Sequence, residues 1–350
     1  MNLLSTSQIK EADQYTIQAE EISSTELMEI AGNQLFQNIL INHSNQSSFT
    51  LFCGPGNNGG DGLVIAQLLK KQKKSIHLFI LKGNYSKEFE HNFKRIKTLS
   101  INYTEIETSQ QIQQITISNS DIIIDALYGI GLTRPLDGKA AELVKKINEF
   151  NNYKIAIDIP SGLSADYMFS CNDHNCVKAN ETLSVQLPKL AFFFTENNPF
   201  VGKWKCIDIG LSEEFIANQN CTYSFASKSD IDRMIKPRSS FGHKGTFGHS
   251  LIIAGSAGKL GASILSSKAA LKTGCGLVSA CIPDKAIIPM LSHAPEIMTI
   301  NRQKSLQLNF DDYNAIAFGP GVGIDLTNSQ LLEQLVLNYN KPLIIDADGL

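Results

Sequence analysis

The sequence predicts an α/β fold built on parallel sheets, and three observations carry that expectation. Short apolar runs rich in strand formers alternate with stretches of helical spacing along most of the chain. Several runs, such as Ile122-Ile-Ile-Asp125 and Ile155-Ala-Ile-Asp158, lack two-residue alternation, as strands covered on both faces do. A glycine-rich stretch, "CGPGNNGGDG" at 53–62, stands between a strand run and a helix run. Strand, glycine turn and helix in this order aim free backbone N–H groups and a positive helix end at an anion.

The strand expectations fall at 49–53, 75–81, 121–125, 153–158, 181–187 and 205–209, after an N-terminal helical region. Helices are expected between them at 62–72, 88–99, 109–116 and 139–148. Polar residues around 219–238 read as a linker, which places a first domain at 1–220, a linker at 221–240 and a second domain at 241–350. That second domain has strand runs at 250–254, 276–282, 315–318 and 343–346. The helical stripe Leu27, Ile30, Ala31, Leu35, Ile39 reads as core or dimer surface, and a homo-oligomer is expected.

A chain of 350 residues is long enough for two domains with full cores. An apolar share of 43% and a charged share of 19% are those of a soluble globular protein. With a net charge of −3 and a pI near 6.2, no basic field calls for nucleic acid or an acidic membrane. No stretch approaches the roughly 20 apolar residues of a membrane span, and the N-terminus lacks a signal-peptide pattern. Seven scattered cysteines suit a reducing compartment. A cytoplasmic protein with a small-molecule substrate is the expectation.

Three strand ends carry unusual chemistry, and ligands of open α/β sheets bind outside the carboxyl ends of strands. Beside the opening loop stand "DALYGIGLTRPLDG" (125–138) and "DIPSGL" (158–163). Asp125 and Asp158 each read either as a helix cap or as a site carboxylate. Gly129 and Gly131 expose N–H groups suited to phosphate, and Arg134 offers a bidentate contact. Gly54, Gly56 and Gly59 spell G-x-G-x-x-G, the mark of a dinucleotide dehydrogenase. That motif needs an acid some 20 residues later, at the end of the second strand. Lys82-Gly83-Asn84 stands there instead, and no Gly-Lys-Ser/Thr follows the glycines.

Asn57 and Asn58 suit left-handed turns, and Asp61 suits an N-cap. The alternative is that an Asn oxygen, the Asp125 carboxylate and a Ser161 oxygen converge on a hard cation. "CNDHNC" (171–176) offers Cys171, His174 and Cys176, but without a fourth ligand it reads as a variable loop rather than a zinc site. His243-Lys244 and His249 flank a glycine turn and are candidate nucleotide contacts.

Together "GPGNNGGDGL", "DALYGIGLTRPLDG" and "DIPSGL", with "LMEIAG" (27–32), "PKLAFF" (188–193) and "IDIGL" (207–211), resemble the NAD(P)H-hydrate epimerase family over roughly residues 1–215. The resemblance implies a Rossmann-like three-layer fold, a bound potassium ion, and interconversion of the R and S epimers of hydrated NADH and NADPH. Carried over by motif, the dinucleotide is held by Asn57, Asn58, Gly59, Gly60 and Asp61. Gly129, Ile130, Gly131, Leu132, Thr133, Arg134 and Pro135 form its other wall, and Asp158 contacts the substrate. Potassium falls to Asn58, Asp125 and Ser161. The stereocentre of the hydrate is a hemiaminal carbon, inverted by loss and return of hydroxide or by ring opening and closure. Either route needs a group that gives and recovers a proton. Asp158 is the candidate, and Lys189 either steadies the site electrostatically or is simply solvated.

Residues 243–283, "AFGPGVG" (317–323) and "PLIIDADGL" (342–350) resemble the start of an ADP-dependent NAD(P)H-hydrate dehydratase of ribokinase-like fold. Fusions of the two form the bifunctional NAD(P)H-hydrate repair enzymes. The resemblance implies that Gly323 touches the hydrate, that ADP or ATP binds, and that magnesium is a further candidate cofactor. The family's later nucleotide loops and a Gly-x-Gly-Asp motif have no counterpart before Leu350, so the second domain is expected to be incomplete in this chain. On this reading the chain epimerises but does not dehydrate. A non-catalytic dinucleotide-binding or interaction module, and an NAD-dependent dehydrogenase, stand as alternatives.

Overall fold

The structure is a computed structural model that describes residues 1–166, 175–235 and 237–350. It divides into two compact units, Met1–Met234 and Ile235–Leu350. The first opens with two helices, α1 (Thr6–Ala19) and α2 (Ser24–Asn42), each started by a capping box, Ser5 with Gln8 and Ser23 with Glu26. Strands and helices then alternate: β1 (Ser48–Cys53), α3 (Asn57–Lys71), β2 (Ser75–Leu81), α4 (Lys87–Thr98), β3 (Tyr103–Ile106), α5 (Ser109–Gln113), β4 (Ile122–Ala126), α6 (Gly138–Glu149) and β5 (Lys154–Ile157). β6 (Glu181–Val185), α7 (Asn198–Val201), β7 (Lys203–Ile207), α8 (Glu213–Ala217) and α9 (Lys228–Met234) complete the unit.

The seven strands form one parallel sheet in the order β3-β2-β1-β4-β5-β6-β7. The strand order therefore reverses between β1 and β4, which puts the loops after those two strands on either side of the crevice. Both faces of the sheet are covered. Leu51, Ile80 and Ile124 pack with Leu35, Phe36, Leu63 and Phe89 on one side. Phe52, Phe79 and Ile123 pack with Leu143, Val144 and Ile147 on the other. Coverage on both faces is why the central strands carry no alternation. Leu27, Ala31, Leu35 and Ile39 of the α2 stripe belong to the core, whereas Ile30 is 40% exposed.

β3 was not expected, because its sequence YTEI buries only Ile106 and sits at the sheet edge. α3 differs more instructively: it begins at Asn57, five residues before the expected start. Gly56 is its N-cap, so Asp61 lies inside the helix and does not cap it, and Asn57 and Asn58 are helical rather than left-handed. The glycines are there for packing. A Cβ on Gly54 would stand 1.8 Å from the Leu127 carbonyl oxygen, and one on Gly59 would stand 1.8 Å from that of Gly54. A Cβ on Gly60 would meet the Met28 sulfur at 2.5 Å. Only Gly56 faces open space within this turn.

The second unit holds β8 (His249–Ile253), α10 (Leu260–Lys272), β9 (Leu277–Ile282), α11 (Ile287–His293), β10 (Met298–Asn301), β11 (Ala315–Phe318), α12 (Leu326–Asn338) and β12 (Leu343–Ile345). Its strands are parallel in the order β10-β9-β8-β11-β12. Leu251, Ile316 and Phe318 pack with Leu331 and Leu335 on one face, and Ile252, Ala280 and Ile282 with Met290 and Ile297 on the other. No helix among the described residues is long and apolar enough to cross a membrane.

The contrast between neighbouring glycines gives a direct test. Gly54→Ala forces backbone apart and is expected to destabilise the first unit by about 3 kcal/mol or more. Gly56→Ala meets nothing and is expected to cost about 0.5 kcal/mol through the weaker cap. Urea unfolding of the two variants beside the parent chain checks the difference.

Candidate active site

The loops after β1, β4, β5 and β6 surround a cavity of about 620 Å³, within the roughly 300–1,000 Å³ range of small-molecule sites. One wall is the start of α3, where Gly56 supplies no side-chain cap. The first-turn N–H groups of Asn57, Asn58 and Gly59 have no partner within the helix, and the helix dipole adds positive potential there. The loop 129–135 forms a second wall, with Arg134 exposed and without a protein partner among the described residues. Asn57, Asn58, Asp61, the whole 129–135 loop, Asp158 and Lys189 all line the cavity. Gly59 and Gly60 do not, since they are buried in packing contacts, and Gly323 lies in the second unit.

Asp158 is held by an unusual backbone. It follows the last residue of β5 with φ +67°, and Ile159 N–H donates to the Ile157 carbonyl at 2.8 Å. This is a γ-turn of the strained, positive-φ kind. The adjacent strand ends the same way. Gln186 has φ +57°, and Leu187 N–H donates to Val185 O at 2.7 Å. Left-handed backbone at a non-glycine residue costs on the order of 1–3 kcal/mol and persists only where its surroundings enforce it. Here Asp158 N–H bonds Leu183 O and Gln186 N–H bonds Ile207 O, each at 2.8 Å, so sheet pairing carries both turns.

The Asp158 carboxylate meets Lys189 Nζ at 2.7 Å and accepts from Ile130 and Val185 N–H, both at 3.3 Å. Lys189 is not solvated. It is wholly buried, and its ammonium also donates to Ser184 Oγ, Val185 O and Leu187 O at 2.9–3.0 Å. Gly129 must lack a side chain beside this pair, because a Cβ there would sit 3.1 Å from Asp158 Oδ2 and 3.4 Å from Asn58.

Asp125 and Ser161 do not line the cavity. Asp125 is wholly buried within β4 and caps no helix; it accepts from Ser161 N–H (2.8 Å), Ser161 Oγ (2.6 Å) and Leu127 N–H (3.2 Å). Ser161 Oγ in turn accepts from Tyr128 N–H at 2.8 Å, which joins the loops after β4 and β5. Burial raises the Asp125 carboxyl to about 6 against those hydrogen bonds, and Asp125 forms no ion pair among the described residues. Asn58 leaves both its side-chain oxygen and nitrogen buried without a partner. A buried carboxylate, an orphaned amide oxygen and a hydroxyl are donor types that suit a hard cation. No group of three or more His, Cys, Asp or Glu is placed to hold a metal among the described residues.

Sequence reasoning passed over Asp13. It projects from α1 into the same cavity, where burial and the Asp158 charge raise its carboxyl to about 6, while Lys189 opposes the shift. Asp61 is pushed well above the usual range by burial and by the charges of Asp158 and Asp13. The available signal was slight: an acid next to the buried positions Ile9, Ala12 and Thr16 of an amphipathic helix.

Other expectations resolve locally. Lys82 stands where a dehydrogenase places its ribose acid, paired with Glu107 at 2.8 Å. His249 lies at the amino end of β8, bonded to Ser279 and edge-on to Tyr313, away from the carboxyl ends where ligands bind. Cys176 is buried in a core cluster with Ile159 and Leu163, whereas Cys171 and His174 lie outside the described residues. In the second unit Gly323 N–H donates to Asp348, which also pairs with Lys259 at 3.0 Å, so the loops after β8, β11 and β12 meet.

A doubly wound sheet with a bare helix start at its switch point, and a lysine-paired aspartate at the end of the strand beside it, has the form of a ligand-binding α/β protein. Residues 24–191 match the family described as the YjeF-related protein N-terminus, and residues 250–350 match NAD(P)H-hydrate dehydratase. The bifunctional NAD(P)H-hydrate repair enzyme of Moorella thermoacetica is 28% identical over all of this chain and 69% of its own length. That of Synechocystis is 31% identical over 93% of this chain and 62% of its own length. The two matched segments follow one another along the chain, which is similar over nearly its whole length to these bifunctional NAD(P)H-hydrate repair enzymes. A crystal structure of yeast ynu0 superposes with a TM-score of 0.52 at 17% identity, over 66% of this chain and 98% of that one, which shows a shared fold.

The raised Asp13 carboxyl has a stability consequence with a definite sign. Its folded value near 6 exceeds the ordinary 3.8, so the folded state binds this proton more tightly than the unfolded state. The associated stability is complete below about pH 4 and is lost as pH rises to about 6. Asp13→Asn removes that loss and is expected to be more stable than the parent at pH 7.5, by on the order of 2 kcal/mol. Thermal melts of both proteins from pH 4 to 8 test it.

Proposed function

We propose that the first unit interconverts the R and S epimers of hydrated NADH and NADPH at the cavity between α3 and the 129–135 loop. The observation that carries the reading is the Asp158–Lys189 pair, presented to that cavity by a strained turn beside an uncapped helix start. Asp158 exchanges the proton that hydroxide loss or ring opening requires. Lys189 holds its orientation through four contacts and compensates its charge. The N–H groups of Asn57 and Asn58, with Gly129 to Pro135 and Arg134, bind the pyrophosphate and ribose of the dinucleotide. A non-catalytic binder would need neither the buried lysine nor the strained aspartate, and a hydride-transferring enzyme would need an acid in place of Lys82.

Potassium fits the donor set of Asn58, Asp125 and Ser161, where it would offset the buried carboxylate and satisfy the Asn58 oxygen. Bound there, the ion supplies positive charge that ties the β1, β4 and β5 loops together. The second unit contributes Gly323, Asp348 and Lys259, which meet in one loop cluster, to the ADP-dependent dehydration of the S-hydrate, with ADP or ATP as the nucleotide and magnesium as its counter-ion. The substrate is a small molecule, the site is soluble and cytoplasmic, and the assembly is a homo-oligomer.

Two measurements test the reading. Asp158→Asn is expected to lower epimerisation of purified S-hydrate by about 100-fold, followed by chromatography of the two epimers, while NADH still binds. Near-normal turnover would move the proton exchange elsewhere. Replacing lithium by potassium at constant ionic strength is expected to raise the melting temperature of the parent chain, by about 4 °C per kcal/mol of ion binding or less. Asp125→Ala should abolish that difference, and an equal response in the variant would remove the ion from this position.

A further inference from the structure

We propose that Asp13 is a second proton-exchanging group of this site, acting on the substrate hydroxyl from a different wall than Asp158. The inference rests on the epimerisation reading and adds a residue to it. Inverting the hemiaminal carbon by loss and return of hydroxide requires the oxygen to leave one face of the ring and come back to the other. One carboxylate fixed by Lys189, Ile130 N–H and Val185 N–H on the sheet edge is poorly placed to serve both faces. Asp13 comes from α1, a separate wall, and stands where the main cavity joins a smaller one of about 370 Å³.

The charge arrangement suits that task. Asp13, Asp61 and Asp158 line the cavity with Lys10 and Lys189, and the buried Lys189 ammonium is bonded to Asp158 alone among them. Neither Asp13 nor Asp61 accepts a hydrogen bond from the protein among the described residues. One lysine-paired carboxylate and two unpaired ones in a partly enclosed space favour retention of a proton by the unpaired pair. Of these, Asp13 exchanges its proton near neutral pH, with burial and the Asp158 charge setting its value to about 6. Burial and the charges of Asp158 and Asp13 push the Asp61 carboxyl up as well. Lys10 and Gln14 on α1, and Asn57 on α3, complete the polar surroundings.

The step balances as follows. The Asp13 carboxylic acid gives its proton to the hydroxyl oxygen, the C–O bond breaks with its electron pair, and water leaves. The ring nitrogen lone pair forms the C=N bond of an iminium, whose positive charge lies near the carboxylates. A water adds to the opposite face, its proton passes to Asp158, and the nitrogen recovers its lone pair. The other epimer uses the same groups with their roles exchanged, and the two carboxyls re-equilibrate with solvent between turnovers.

The experiment follows epimerisation of purified S-hydrate of NADH by the full chain, its Asp13→Asn variant and its Asp13→Glu variant between pH 5 and 9. The parent is expected to show a limb near pH 6 in kcat. Asp13→Asn should lose that limb and about 100-fold in kcat while binding NADH within threefold of the parent and melting no lower at pH 7.5. Asp13→Glu should recover to within about tenfold and regain a limb. A parent that epimerises, with Asp13→Asn within threefold of it and an unchanged pH profile, overturns this inference alone. A parent that does not epimerise overturns the functional reading and this inference together.

Discussion

The buried carboxylate of Asp125 is the constraint around which the first unit's site is arranged. A buried charge with no cationic side chain beside it among the described residues is tolerable only if its oxygens are fully engaged. Ser161 meets that need twice, through its amide and its hydroxyl, and then receives Tyr128 N–H in return. The consequence is geometric. The loop after β4 and the loop after β5 have one relative position at this point, and Gly129 and Asp158 face each other across it at 3.1 Å, measured from the position a Cβ would take. The orphaned Asn58 amide on α3 adds the third strand end to the same neighbourhood.

Rigidity of that kind is what makes the turn at Asp158 affordable in structural terms. A left-handed aspartate relaxes to an extended conformation unless its neighbours prevent it. Sheet pairing on one side and four lysine contacts on the other leave it nowhere to relax. The repetition of the turn at Gln186 suggests a shared local cause. Gln186 Oε1 accepts from Ile209 N–H at 2.8 Å, so its side chain fastens the segment after β7 as Asp158 fastens the 129–135 loop.

Much of this was legible in the sequence. Unalternating apolar runs marked the buried strands, and β4 and β5, buried along their whole length, fall where those runs do. The strand-end motifs hold most of the cavity's lining. What escaped had physical reasons. Glycine's low helix propensity hid the true start of α3, because packing against Gly54 and Met28 outweighs it. Lys189 follows a proline and looks solvated by local sequence, yet its acceptors are carbonyls and a serine supplied by β6 and its turn. Asp13 lies far from every motif, and only tertiary packing brings α1 to the switch point.

The placement of α1 also bears on the order in which the protein can be assembled. Ile9 and Ala12 of its apolar face, with Leu4 just ahead of the helix, pack on Leu187, Ile209, Leu211 and Ile216, and Asn2 bonds the carbonyls of Ile216 and Gln219. All of these partners emerge from the ribosome some two hundred residues later, on the order of 10–40 s at typical elongation rates. The strands around β1 can pair well before then, since β1, β2 and β4 are complete by Ala126. During synthesis, therefore, the cavity acquires its sheet-edge wall first and its α1 wall last. The nascent chain passes through a stage in which the apolar face of α1 has Leu27 and Ala31 of α2 at hand but still lacks its later partners.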